Sequence, residues 1–419
     1  MSLKEVPRTF QTPSQIIVVG GGAAGYFGAI AAARAHRQAQ ITLLEAGPEP
    51  LAKVRISGGG RCNVTHHCFD PAQLVTHYPR GGKALRGAFT RFQPRNTVDW
   101  FQDRGVKLKT EADGRMFPVT DDSATIVDCL QREARQLGVT LRVKSAVSGV
   151  TRTESGFTVT LRSGETLQCD RLLLATGSSP QGHRIAASLG HKVLSPVPSL
   201  FTFNVADPAL RSLAGVSVEP VNLKLSLPNT KPLTQTGPLL ITHWGLSGPA
   251  VLKLSAWGAR SLHEQRYKGT LQVNWLPEMT MDEIRAELQA ARAQVPKRAI
   301  MNHCPLPLSR RLWMYLVQRV GLDESLTWAN LPKKGVNGLV EQMSRGQFAI
   351  SGKGVFKEEF VTCGGVKLSE VDFKTMQSRR CPGLFLAGEV LDIDGVTGGF
   401  NFQSAWTTGW LAGQAIGCS

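Results

Sequence analysis

Three glycines, at positions 20, 22 and 25, follow the β-branched run Ile16-Ile17-Val18-Val19. In Gly20-Gly21-Gly22-Ala23-Ala24-Gly25 the first glycine permits a tight turn and the second lets backbone approach a pyrophosphate. The third lets a helix pack closely on the strand behind it. Ala23 and Ala24 lead into an Ala-rich, helix-favouring stretch, so the loop amides and the positive end of that helix converge on one anion. Glu45 stands 20 residues beyond Gly25, at the end of a second strand-like run, Ile41-Thr42-Leu43-Leu44. A carboxylate there accepts ribose hydroxyls and repels a 2′-phosphate. The chemistry is recognition of a dinucleotide with a free adenosine ribose.

One such loop does not separate NAD from FAD. Two further segments do. Leu172-Leu173-Leu174-Ala175-Thr176-Gly177 is an apolar strand ending in A-T-G, and Gly383-Leu384-Phe385-Leu386-Ala387-Gly388-Glu389 delivers an acid to a glycine-rich end. Both resemble the pattern of the flavoprotein superfamily with two dinucleotide-binding domains, where the second motif closes over the ribityl chain of FAD. With one motif near residue 20 and its partner near residue 388, the chain must return to its first domain, which predicts an insertion.

The most specific segments are Ile56-Ser57-Gly58-Gly59-Gly60-Arg61-Cys62-Asn63-Val64-Thr65, Thr242-His243-Trp244-Gly245-Leu246-Ser247-Gly248-Pro249, and the stretch from Gly388-Glu389 through Gly398-Gly399-Phe400-Asn401-Phe402-Gln403. Together they resemble the BaiN/RdsA-like (aminoacetone-oxidase-like) bacterial flavoproteins, from about Ile16 to Ala415. The resemblance implies an α/β fold, a Rossmann-like FAD-binding domain interrupted by an inserted β-rich and helical substrate domain. It implies FAD held by these motifs, with Arg55 and Val147 in the same set. Family reactions include reduction of conjugated double bonds, amine oxidation and reduction of a uridine in ribosomal RNA, so the resemblance fixes the cofactor better than the substrate. Cys363 departs from the pattern, standing where a small residue such as alanine is expected.

In physical terms, Ser57–Asn63 is a second cluster of amides able to face an anion, with Arg61 adding a charge. Gly398-Gly399-Phe400-Asn401 opens the last helix, whose amides would lie by the flavin pyrimidine ring and stabilise the anion of its reduced form. Two residues are candidates for catalysis. His243 precedes a Trp and a Gly-Pro turn and could donate a proton. Cys62 with Cys68 imitates the redox pair of flavin disulfide reductases at the wrong spacing. His66-His67 lacks a third ligand at metal-binding spacing, and no metal is expected.

Net charge is +16 over 419 residues: +9 in residues 1–190, +8 in 191–345 and −1 in 346–419. Arg80, Lys83, Arg86, Arg91 and Arg95 run without an acid among them, and Arg310-Arg311 lies in a second basic stretch. Such a field attracts polyanions, which makes RNA a candidate partner beside a small-molecule substrate. Eight cysteines without a C-x-x-C pair read as reduced thiols of a cytoplasmic protein. No apolar run reaches the ~18 residues of a membrane span, and the first 14 residues lack a secretory h-region.

Helices are expected at 25–37, 93–105, 123–138, 281–295, 309–320 and 401–416. A β-meander is expected from the strand-like pieces at 140–150, 156–161 and 171–175. The FAD domain is placed at 1–191 and 346–419, the insert at 192–345, where prolines punctuate short β-like runs. Three functions stay open. The first is an FAD-dependent oxidoreductase passing hydride between flavin and a carbon of a small substrate, an activated C=C or an amine. In the absence of a second G-x-G-x-x-G, NAD(P)H would then act as a transient donor entering the same cavity. The second is a flavoenzyme reducing uridine in RNA, and the third a flavin-binding protein without turnover.

Overall fold

The computed structural model describes residues 13–228, 230–354 and 361–417. The polar tail before Pro13, and Cys418, lie outside them. The chain divides into two compact units, one formed by the residues up to Pro196 together with those from Gly364, the other by Val197–Cys363.

The first unit is built on a seven-stranded sheet. Its order is Val371–Asp372, Gln377–Ser378, Leu384–Leu386, Arg171–Leu174, Gln15–Val19 (β1), Gln40–Leu44 (β2) and Thr140–Arg142. The five strands from Leu384–Leu386 onward are parallel, with Ile17 opposite Leu172 and Val18 opposite Leu43. Strands buried on both faces read as near-continuous apolar runs, which is why Ile16–Val19 and Leu172–Leu174 are so uniform. Helix α1, Ala23–Ala35, crosses from β1 to β2. It packs against the C-terminal helix, Phe400–Ala415, backbone to backbone: a Cβ at Gly409 would lie 2.5 Å from the Ala24 carbonyl oxygen, and one at Gly413 2.4 Å from that of Gly28.

The meander is present, but its strands are Val147–Arg152, Phe157–Leu161 and Thr166–Cys169. Arg171–Leu174 belongs to the main sheet instead. Its Leu-Leu-Leu core has no polar alternation and needs cover on both faces.

The edge hairpin Val371–Ser378 is tied to the segment before the insertion by a buried polar chain. Arg380 and Cys381 amides donate to Ser378 Oγ (3.0 and 2.8 Å), so the serine proton goes to His191 Nε2 (2.8 Å). His191 Nδ1 then donates to Glu370 Oε2 (3.0 Å), which also accepts from the Lys192 amide. Burial holds the His191 imidazole below its ordinary 6.5 and outweighs the Glu370 carboxylate, so the ring is neutral at pH 7. Burial pushes Glu370 up, but the Lys192 amide, His191 and Arg380 together hold it below 4.5. An unfolded histidine takes its proton as pH falls through 6.5 while the folded one resists. Stability from this ring is therefore full above 6.5 and lost as pH drops towards the folded value; that from Glu370 follows below 4.5. Thermal unfolding should show Tm falling from pH 7 to pH 5, and His191→Gln, which cannot charge, should flatten that fall. Equal falls in both proteins would contradict the assignment.

In the second unit six strands close a barrel in the order Phe203–Val205, Gly245–Ser247, Leu233–Thr242, Ser217–Ser226, Gly269–Asn274 and Gly346–Lys353. Inward Leu223, Leu225, Leu271, Val273, Phe348 and Ile350 alternate with polar or small residues, as a small barrel requires. The helices Met281–Gln294, Arg310–Arg319 and Lys333–Arg345 share its core through Ile284, Leu288, Leu312, Trp313, Leu339 and Met343. The second boundary therefore falls after Cys363 and not at 345/346. Phe348 pairs with Leu271, and Lys353 with Phe203, so the strand read as returning to the first unit completes the barrel. Among the described residues no helix is long and apolar enough to cross a membrane.

Candidate functional site

The glycine loop joins β1 to α1 with a separate role for each glycine. A Cβ at Gly20 (φ +110°) would lie 2.4 Å from the Ala175 carbonyl oxygen, and one at Gly25 only 1.9 Å from that of Gly20. Those two positions are closed by packing. Gly22 is different: a Cβ there meets no atom within 4 Å. It caps α1 without a side-chain hydrogen bond, so the first helical amides face the same open side. Glu45 turns back to this loop, its Oε2 accepting from the Gly21 amide (2.8 Å) and its Oε1 from the Gly47 amide (2.7 Å). Each oxygen keeps a lone pair for a ribose hydroxyl.

The second arm follows from the sheet. Ala175 donates to Val19 across the parallel pair, which sets Thr176 and Gly177 beside the loop. Thr176 Oγ1 is shielded from solvent and has no hydrogen-bond partner among the described residues. Lys53 Nζ lies 2.8 Å from Glu389 Oε2 and 3.4 Å from Ser178 Oγ, joining this arm to the C-terminal motif. Gly388 donates to Thr408 Oγ1 (2.9 Å), and a Cβ on it would touch that of Ala24 at 2.8 Å.

The third arm is the start of the C-terminal helix. Phe400 is buried and stacks on His77 (4.2 Å between centroids) and on His66 (4.7 Å). The Phe400 carbonyl accepts from Tyr78 Oη at 2.6 Å, and burial keeps that phenol protonated. Asn63 donates to the Thr65 carbonyl (3.0 Å) and accepts from the Gly399 amide (2.9 Å). Asn401 closes a ring with Gly395, accepting from its amide and donating to its carbonyl. Phe402 stacks on Trp406.

Gly20, Gly22, Ala23, Ala24, Gly25, Glu45, Ala175, Thr176, Gly177, Gly388 and Glu389 are thus brought together. Gly398, Gly399 and Phe400 adjoin the Ser57–Asn63 loop through Asn63, and Gly58 packs on Phe117 there. Gly59 and Gly60 carry left-handed backbone with no atom within 4 Å of a built Cβ. Arg55 is exposed on the short helix Ala52–Ile56, and Val147 is a buried residue opening the meander, paired with Leu161. Asn63 and Asn401 spend their side chains on backbone. Any service they give a cofactor is through main chain or by holding the helix start.

Three expectations change. Arg61 does not offer a free charge: its guanidinium donates to Glu111 (2.7 Å), lies 3.5 Å from Asp121 and stacks over Phe117. Cys62 is fully buried and burial pushes its thiol up to about 12, so it holds no thiolate at neutral pH. Arg80 is not a surface cation; it forms a bidentate pair with Asp394, which is completely buried. His243 occupies an exposed turn between two barrel strands of the second unit. Lys53, His77, Tyr78 and Thr408 escaped the sequence reading because none belongs to a short motif: the first three act on residues of the C-terminal return, and Thr408 meets Gly388 only through the fold of that return.

The chain is a Rossmann-type dinucleotide-binding protein of the flavoprotein oxidoreductase class, with a barrel inserted between the two halves of its nucleotide unit. It belongs to the family described as the HI0933-like protein Rossmann domain, whose model matches residues 14–415. It is similar to the ribosomal RNA dihydrouridine synthase of Escherichia coli (strain K12), 32% identical over 96% of this chain and 97% of the relative. A 3-dehydro-bile acid delta(4,6)-reductase of Clostridium scindens is 28% identical over 96% and 98%. Among solved structures, the 3-ketosteroid-delta4-(5alpha)-dehydrogenase of Rhodococcus jostii RHA1 matches with a TM-score of 0.51 at 15% identity. That match covers 98% of both chains and shows the fold alone.

Proposed function

We propose that the protein is an FAD-dependent reductase that delivers hydride to an activated carbon–carbon double bond of a small substrate. The observation that carries this is the meeting of three arms in one unit: the Gly20–Gly25 loop with Glu45, the Ala175–Gly177 turn, and the Gly388–Phe402 return. The residues present fit FAD. Gly22 leaves room for a pyrophosphate, and Glu45 is aimed for a ribose from the adjoining strand end. When bound, FAD would supply two-electron hydride chemistry.

The chain's own residues bind and orient. The α1 amides would hold phosphate, Glu45 would hold ribose, and the first amides of the C-terminal helix would supply a partial positive charge to the bound group. His77 and Phe400 form an aromatic wall at that helix start. His243, exposed on a turn of the barrel unit, remains the candidate proton donor. NAD(P)H serves as the electron donor and shares the substrate's site.

The purified protein should be yellow and release FAD on denaturation. Recovery of FMN, or no flavin after reconstitution, would overturn the cofactor reading. Initial rates against donor and substrate should give parallel lines, whereas intersecting lines would exclude the shared site.

A second reading has its own support: the basic surface, and near-full-length similarity to relatives named ribosomal RNA dihydrouridine synthases. Here the substrate is a uridine whose C5–C6 bond is reduced while flanking phosphates rest on cations. A dihydrouridine scan of RNA from wild-type and deletion strains tests it. Identical profiles would remove this reading and leave the first.

A further inference from the structure

The arginine-rich run 80–95 does not act as one line of charge. With Arg80 engaged by Asp394, four cations remain, and all are exposed: Lys83 and Arg86 on the helix Gly82–Phe89, then Arg91 and Arg95. None of the four has a carboxylate within 4 Å among the described residues. Chain return brings a second source of charge. Arg91 donates to the Lys374 carbonyl, which fastens the end of that helix to the edge hairpin of the main sheet. A pocket of about 480 Å³ lies at this junction, lined by Gly87, Ala88, Arg91, Phe373, Lys374 and Arg379 with Val371 and Asp372. The one acid there, Asp372, lies 3.6 Å from Arg379, which offsets it. Arg380, just after the hairpin, faces the buried Glu370 at 3.6 Å. Asp99 on the helix Pro94–Gln102, and Asp103 at its end, make no ion pair among the described residues.

Aromatic faces are interleaved with these cations. Arg91 lies over Trp410 (5.8 Å to the centroid) and Arg95 over Phe69 (4.5 Å), while Phe373 contributes a half-exposed ring to the pocket wall. The Trp410 and Phe69 rings hold Arg91 and Arg95 in place, and Phe373 is the ring left to the pocket. Cations beside such a ring are what single-stranded nucleic acid requires, since phosphates meet the charges and a base stacks without sequence preference. The pocket is mainly apolar inside and cationic at its rim, which matches a base with its phosphates.

We propose that Lys83, Arg86, Arg91, Arg95 and Lys374, with Phe373 in the pocket, form a docking surface for a single-stranded segment of RNA. This rests on the RNA reading above and goes beyond it. It assigns the contact to one face of the nucleotide unit, and it replaces Arg310 and Arg311 of the barrel unit with Lys374 of the C-terminal hairpin. The sequence could not show this, because residues 346–419 carry a net charge of −1.

The test uses the full-length flavin-loaded protein and a fluorescein-labelled single-stranded RNA, its anisotropy titrated at several salt concentrations. Five phosphate contacts at ~0.7 each give a slope of log affinity against log salt near −3.5. Changing Lys83, Arg86 and Lys374 together to Ala should bring the slope to about −1.4, with flavin content unchanged. Phe373→Ala should weaken binding roughly 5- to 150-fold with the slope retained, the signature of a lost stack. Arg310→Ala with Arg311→Ala should change neither quantity. A steep slope that the triple variant leaves intact would overturn the surface while the RNA reading stands. A flat response in the wild type would overturn both. Anionic phosphatidylserine vesicles bound more tightly than RNA, through the same three residues, would assign the surface to a membrane and overturn the proposal.

Discussion

Asp394→Ala should destabilise the protein by about 3–5 kcal/mol, the cost of leaving a charge without its buried partner. Asp394 is wholly inaccessible and Arg80 nearly so, with 15% of its side chain exposed. The pair also holds backbone, since residues 80 and 394 form an isolated antiparallel bridge. Around it, Val396 donates to the His77 carbonyl and Tyr78 to that of Phe400, so the loop before the C-terminal helix is fixed along its length. Loss of the carboxylate should therefore reduce flavin retention as well as stability. Urea unfolding at fixed flavin concentration measures the first, and absorbance per mole of protein the second. The control is the double change Arg80→Met with Asp394→Leu. Removing both charges together should recover a large part of the loss, because the desolvation cost disappears with the ions. A single-variant cost below about 1 kcal/mol would place the pair among surface bridges of little consequence.

Arg80 also shows where sequence reading stops. Read by itself, it is the first of a run of cations; only the return of the chain reveals the partner, 314 positions later. The β1–α1–β2 start was legible because its determinants are local: four β-branched residues, three glycines and a carboxylate within thirty positions. The meander turns at Ser155-Gly156 and Ser163-Gly164 were legible for the same reason. Arg171–Leu174 was misassigned because a short apolar run fits a meander or a parallel strand equally. What decides is the pairing with Gln15–Val19 and Leu384–Leu386, which no local signal encodes. The second boundary slipped likewise. Phe348 and Ile350 alternate with Gln347 and Ala349 as a barrel wall does, but alternation does not say which sheet a strand joins. In the site, glycines were found by pattern, whereas Lys53, His77 and Thr408 are placed by tertiary packing.

The same substitution at two glycines three positions apart should fail in two different ways. At Gly25 an added methyl lies 1.9 Å from the Gly20 carbonyl oxygen, a backbone atom that cannot turn aside. Alanine ordinarily gains about 0.5–1 kcal/mol over glycine inside a helix, but here overlap dominates. Overpacking costs typically ~1–3 kcal/mol and more where backbone must move. Gly25→Ala should thus lower Tm and yield protein in which α1 no longer sits against β1. At Gly22 the backbone (φ −86°, ψ −169°) is open to any residue, and the new methyl meets no protein atom within 4 Å. Alanine is the poorer helix cap, so the stability cost should stay within about 1 kcal/mol. The methyl instead occupies the side from which a pyrophosphate approaches the α1 amides. Flavin affinity should then fall at least about tenfold, equivalent to 1.4 kcal/mol, in a protein that remains folded. Thermal unfolding of the apoproteins separates the two cases, and flavin titration of the refolded chains completes the comparison. If Gly22→Ala bound FAD as tightly as the wild type, the pyrophosphate would not lie at this loop, and the site assembled around it would be wrong.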